Sequence, residues 1–272
     1  MGIYSNSKLG TFDQCKYKFR LQYIERIRTG VRSIEAFMGT MVHDTLEKLY
    51  KDLQSSKMNS KDDLMQFYLQ HWKNNWTEDI VVAKEYANAE MYQNMGVEFI
   101  LSYYDKYHPF DQLKIIGVET NEKLELNNNN KYYVKIDRLA ADEKGNYYVI
   151  DYKTGGTIKS QEELDQDRQL AMYSIWVRNN YPDAKNVKLV WNFLAFNEEL
   201  SSERTPGDLS KLKLEVEDKI IEIETCTEFP TNKTKLCDYC EYKFMCHEWV
   251  GKKKVVGKGI KKQTLLNDFF PK

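Results

Sequence analysis

The sequence predicts an α/β fold: a mixed β-sheet flanked by helices, with a helical insert ahead of the sheet and a cysteine-rich region near the C-terminus. Three observations lead there. The runs 131–139 and 147–153 alternate with period two, as strand side chains do. Apolar residues recur at helical spacing within 39–50, 61–75 and 85–106. From residue 115 onward the expected order is β-β-β-α-β, a sheet with a helix over it.

In chain order, Val42, Leu46, Leu49 and Tyr50 mark a helix over 39–50, with His43 in its first turns. The segments 61–75 and 85–106 form a helical insert, about 55–108, rich in aromatics such as Tyr68, Trp72, Tyr92 and Tyr103. Aromatics at this spacing predict core; a stacking platform for single-stranded bases is the alternative. Residues 115–126 predict the first strand. Asn127 to Asn130 predict a turn, because Asn tolerates positive φ, and Gly145-Asn146 predict a second. Residues 161–180 predict one long helix stopped by Tyr181-Pro182, 187–196 a last strand, and 209–224 an amphipathic helix.

With 272 residues, 42% of them hydrophobic, the chain can hold one large domain or two small ones. It has no apolar run long enough to span a membrane and no N-terminal apolar signal stretch, so neither insertion nor export is expected. A net charge of −1 does not suit a nonspecific DNA-coating protein, but a local basic strip can still bind DNA. Clustered thiols predict a reducing, intracellular setting.

The chemistry concentrates in Asp151-Tyr152-Lys153, at the end of an apolar strand. Period two puts Asp151 and Lys153 on one face and Tyr152 on the other. The meander brings Asp137 to an adjacent strand end. Two close carboxylates repel unless a cation lies between them, which is the logic of a magnesium or manganese site. On the 161–180 helix, Gln169 and Tyr173 are four apart and project together.

Taken together, these pieces resemble the RecB-like branch of the PD-(D/E)xK nuclease superfamily. Its pattern is a helix His, a strand Asp, D-x-K with a following Gly, and Q-x-x-x-Y on a helix. This chain carries His43, Asp137, Asp151 with Lys153 and Gly155, and Gln169 with Tyr173. The resemblance covers the chain to about residue 250 and implies a restriction-endonuclease-like core. It implies that His43, Asp137, Asp151 and the Tyr152 carbonyl bind Mg2+ or Mn2+, that Lys153 assists the attacking water, and that Gln169 and Tyr173 contact DNA or support the site.

Of five cysteines, Cys237, Cys240 and Cys246 form C-x2-C-x5-C, and Cys15 is a plausible fourth ligand. Four thiolates suit zinc or an iron–sulfur cluster alike. The arrangement resembles the iron–sulfur subgroup of RecB-like nucleases, which includes AddB-type and CRISPR-adaptation nucleases, and this implies a four-iron four-sulfur cluster. Cys226 is left over and reads as a buried small residue.

Residues 251–262 hold six lysines and three glycines and predict a flexible basic linker. After it, Gln263, Leu266, Phe269 and Phe270 resemble the peptide that docks on PCNA-type sliding clamps. The expected function is therefore a metal-dependent DNA nuclease. The expectation is an exonuclease on single-stranded ends or flaps in replication, repair or recombination, tethered to a clamp. A clamp of this type implies a cytoplasmic or nucleoid setting in an archaeon or its virus, or a nuclear one in a eukaryote. The alternatives are a CRISPR-adaptation-type nuclease and a clamp-tethered DNA adaptor with weak or no cleavage. Polarity and a helicase partner stay open.

Overall fold

The computed structural model describes residues 2–84 and 86–250. The linker 251–262 and the peptide with Gln263, Leu266, Phe269 and Phe270 lie outside the described residues. A five-stranded sheet has the order Glu198–Glu203, Asn186–Phe193, Asn146–Lys153, Arg138–Ala141, Lys114–Val118. Asn146–Lys153 runs parallel to Asn186–Phe193 and antiparallel to Arg138–Ala141, so the sheet is mixed. A parallel pair needs a crossover, and the helices Gln161–Asp165 and Arg168–Asn180 supply it.

Alternation along the central strand builds two cores. Tyr147 and Val149 face one, with Leu170, Ala171, Tyr173 and Trp176 of the crossover helix and Val216 and Ile220 of the helix Pro206–Thr225. Ile150 and Tyr152 face the other, with the helices Ile34–Gln54, Lys61–Asn75 and Ala89–Tyr107. The buried stripe of Ile34–Gln54 includes Phe37, Met38, Met41, Val42, Thr45 and Leu46. His43 sits one position off that stripe, half-buried, and so projects at its edge toward the sheet.

The expected elements form with four corrections. The 115–126 and 131–139 runs are not single strands. Each breaks in the middle, and Glu122–Glu125 and Lys131–Val134 join Ile3–Tyr4 in a separate small sheet. The break is hydrogen-bonded: Glu119 takes φ 47, Glu119 N donates to Asp137 O at 2.9 Å, and Thr120 N donates to Ile136 O at 3.0 Å. The single 161–180 helix is two helices, because Asp167 accepts from Gln169 N and Leu170 N and starts a new one. Glu198–Glu203 is an additional strand; its largely exposed Glu-Glu-Leu-Ser-Ser-Glu sequence carries no apolar alternation. The first long helix starts at Ile34, capped by Ser33, rather than at 39.

Asn128 and Asn129 take positive φ, and Gly145 takes φ 85, as the two expected turns require. Among the described residues no helix is long and apolar enough to cross a membrane.

Candidate metal centre

The register sets the site. Arg138 pairs with Ile150, so Asp137, one residue before, comes opposite Asp151. Asp137 Oδ2 accepts the Tyr152 backbone N–H at 2.8 Å. His43 Nδ1 lies 3.5 Å from Asp137 Oδ2 and 3.9 Å from Glu119 Oε1. His43 Nε2 donates to the Tyr152 carbonyl at 2.8 Å. The ligand atoms of His43, Glu119 and Asp137 all lie within 4.8 Å of one another.

Glu119 was not legible in the sequence. It follows a strand without a motif around it, and only the break in two neighbouring strands brings it to Asp137. Its other oxygen is held by Lys135 Nζ at 2.7 Å.

Lys153 and Asp151 do share a face, with Nζ 2.6 Å from Oδ2. That close contact pairs the ammonium with the buried Asp151 Oδ2. Gln169 Nε2 donates to Asp151 Oδ1 at 3.2 Å, and Lys153 Nζ donates to Gln169 Oε1 at 3.4 Å. Tyr173 is buried one turn further on, its hydroxyl against Gln169 and the Lys135 backbone, and burial pushes it up to about 12. Here it supports Gln169 from the core side.

The electrostatics show strain between buried like charges. Burial raises the Asp151 carboxyl to about 6; Lys153 opposes the rise and Asp137 adds to it. Burial would raise Asp137 too, but the His43 imidazolium overrides it and holds Asp137 below its ordinary value. Burial would lower His43, yet Asp137, Glu119 and Asp151 outweigh it and lift the imidazole to about 10. A proton on His43 thus occupies the place where the donor set offers an imidazole, the Glu119 and Asp137 carboxylates and a backbone carbonyl. Oxygen-rich donors with one imidazole suit a hard divalent cation such as Mg2+ or Mn2+.

The thiols of Cys15, Cys237, Cys240 and Cys246 line one cavity of about 170 Å3. Each accepts a backbone N–H: Cys15 from Lys18, Cys237 from Thr234, Cys240 from Tyr242 and Cys246 from Glu248. Burial raises the Cys240 and Cys246 thiols, and neighbouring thiols add to it. Among the described residues no three thiols come within 4.8 Å of one another. A cavity lined by four thiols, each accepting a backbone N–H, fits zinc and an iron–sulfur cluster alike. Cys226 is half-buried against the first core, its Sγ donating to Glu228 O at 3.0 Å.

A family model described as the PD-(D/E)XK nuclease superfamily matches residues 4–247. The chain belongs to the PD-(D/E)XK nuclease superfamily. Members of this superfamily are phosphodiesterases that use Mg2+ or Mn2+ and act on DNA. The chain is also similar to a solved crystal structure of SSO0001, with 15% identity over 89% of this chain and 95% of that one, at a TM-score of 0.36. No curated protein matches the chain.

Proposed function

We propose that this chain is a metal-dependent DNA nuclease of the superfamily that works on single-stranded ends or flaps. The observation that carries it is the convergence of His43, Glu119 and Asp137 around one point, with Asp151 opposite Asp137 on the neighbouring strand and Lys153 beside it. His43, Asp137, Asp151 and the Tyr152 carbonyl would hold the cation, with Glu119 in reach. When bound, the cation supplies Lewis acidity toward the phosphodiester and lowers the pKa of water.

The protein's own residues do the rest. Gln169 holds the Asp151 carboxylate in one plane through its amide. Lys153 keeps its charge, since Asp151 overrides the burial that would lower it. Its ammonium orients the attacking water and offsets negative charge growing on the phosphate oxygens. The four thiols would hold a four-iron four-sulfur cluster that ties residue 15 to residues 237–246 across the length of the domain. The segment with Gln263, Leu266, Phe269 and Phe270 would dock on a PCNA-type clamp.

Asp151→Ala tests the site. Cleavage of end-labelled single strands and flaps in Mn2+ should fall by at least about a thousandfold with the fold intact. Undiminished cleavage would remove Asp151, and the site built on it, from the reaction.

A further inference from the structure

Two neighbouring cavities lie along the N-terminal segment, away from the carboxylates. One, of about 890 Å3, is bordered by Arg26, Arg28, Gly30, Arg32 and Ser33. The other, of about 390 Å3, is bordered by Tyr4, Lys8, Tyr23 and Tyr133. Gln22 and Arg26 border both, so the two adjoin as the halves of one cleft region. Arg26 and Arg28 are exposed and make no ion pair or hydrogen bond among the described residues.

Of the acids along this cleft, Glu241 pairs with Lys18 at 3.1 Å, while Glu35, which accepts from the neutral Tyr92 hydroxyl at 2.7 Å, and Asp79 keep their charge against three arginines. Arg32 is held by Thr40 Oγ1 and the Ala36 carbonyl, both neutral, so its charge is not cancelled. Lys8 stands 4.1 Å over the Tyr4 ring and 5.8 Å from the Tyr23 ring. Cations interleaved with half-buried tyrosines are the chemistry of a track for unpaired bases and their phosphates.

The backbone is shaped for it. Arg20–Ile24 is a wide π-helical turn, and Arg26 takes φ 54, a left-handed conformation that costs a non-glycine residue about 1 kcal/mol or more. Tyr242, between Cys240 and Cys246, donates to the Ile27 carbonyl at 2.9 Å and pins this segment to the cysteine region. Two distances along the chain bound how far the cleft lies from the carboxylates. Ser33 caps the helix whose third turn carries His43, about 15 Å along its axis. Tyr133 is four residues before Asp137, no more than about 14 Å of chain.

We infer that this cleft binds a single DNA strand a few nucleotides from the scissile bond, with Arg26 and Arg28 on phosphates and Tyr23 and Tyr133 against bases. The inference rests on the nuclease reading and adds to it where the uncut strand lies.

The test is binding of a fluorescein-labelled oligothymidylate of about twenty nucleotides to the full chain in EDTA, where no cleavage occurs. Arg26→Gln with Arg28→Gln should weaken binding about tenfold or more. It should also make the slope of log K against log salt shallower by about 1.4, the share of two single-strand phosphates. Lys211→Gln with Lys213→Gln, on the exposed helix Pro206–Thr225, serves as the charge control and should change neither quantity.

Should the double variant melt early, Arg28→Gln alone, on an ordinary backbone, should still lower the slope by about 0.7. Unchanged affinity and slope, or an equal loss in the control pair, would overturn the inference. So would a duplex of the same length bound as tightly as the single strand and weakened alike. A wild-type protein that binds through the cleft in EDTA but never cuts in Mn2+ would instead sink the nuclease reading and leave the cleft standing.

Discussion

Metal binding at this site must expel protons, and the number expelled follows from the buried charges. In the metal-free protein His43 holds its proton up to about 10 and Asp151 up to about 6. A cation held by His43 and Asp151, as proposed, needs both groups deprotonated. Between pH 6 and 10 only His43 still carries a proton, so the apparent Mn2+ affinity should rise about tenfold per pH unit, about 1.4 kcal/mol. Below pH 6 Asp151 adds its own proton, and the slope should approach about two decades per unit. From pH 5 to 7 Asp151 goes from about one-tenth to about nine-tenths ionised, which together with His43 gives a gain of about a thousandfold.

The metal-free fold runs the other way. Stability contributed by the raised His43 is complete below its unfolded pKa of about 6.5 and is lost as pH rises through about 10. Titration calorimetry with Mn2+, in two buffers of different ionisation enthalpy, counts the protons directly. About one should be released at pH 8 and about two at pH 5, and His43→Gln should remove the one released at pH 8. Proton release near zero at pH 8, with an affinity flat from pH 7 to 9, would refute this account of the site.

Other consequences can be checked separately. Cys246→Ser should strip visible absorbance from anaerobically purified protein and lower the melting temperature by about 5 °C or more; colourless wild-type protein loaded with zinc would reject the cluster. Deleting Gln263 to Lys272 should abolish pull-down by a PCNA-type clamp and leave cleavage of free oligonucleotides unchanged, and retained clamp binding would rule out that peptide. Gly96→Ala should cost about 1–3 kcal/mol in denaturant melts, because its Cβ would lie 2.6 Å from Cζ of the fully buried Tyr68, where two helices cross closely; a neutral outcome would mean that the Tyr68 ring shifts freely.

What could be read ahead of the structure, and what could not, divides by the range of the interaction. Asp151, Lys153 and Gln169 sit on elements whose periodicity is local, so their faces follow from spacing alone, and the structure places the three in contact. His43 depends on a helix edge, which spacing also shows. The strand breaks at 119–121 and 135–137 are different. Their causes are hydrogen bonds between segments about sixteen residues apart, including Ile136 N donating to Thr120 Oγ1 at 3.0 Å. No local period announces such a pairing. Glu198–Glu203 was invisible for a related reason: an edge strand with one buried residue carries almost no apolar pattern.

The broken strands also explain the shape of the site. Had 131–139 continued straight, Asp137 would have stayed in one sheet and Glu119 in a strand interior, with side chains committed to alternate faces. The break frees both from the pleat at the same point and turns them toward His43. The crossover helix does the equivalent on the other side: its restart at Asp167 places Gln169 in a first turn, where the side chain can reach back to Asp151. Glu119 and Asp137 therefore stand where regular elements stop, while His43 and Asp151 come from within a helix and a strand. A regular strand offers its carboxylates two residues apart on one line, and a compact cation needs them from several directions at once. The irregularities that defeat a reading by period are the same ones that give the carboxylates, the imidazole and the Tyr152 carbonyl a common centre.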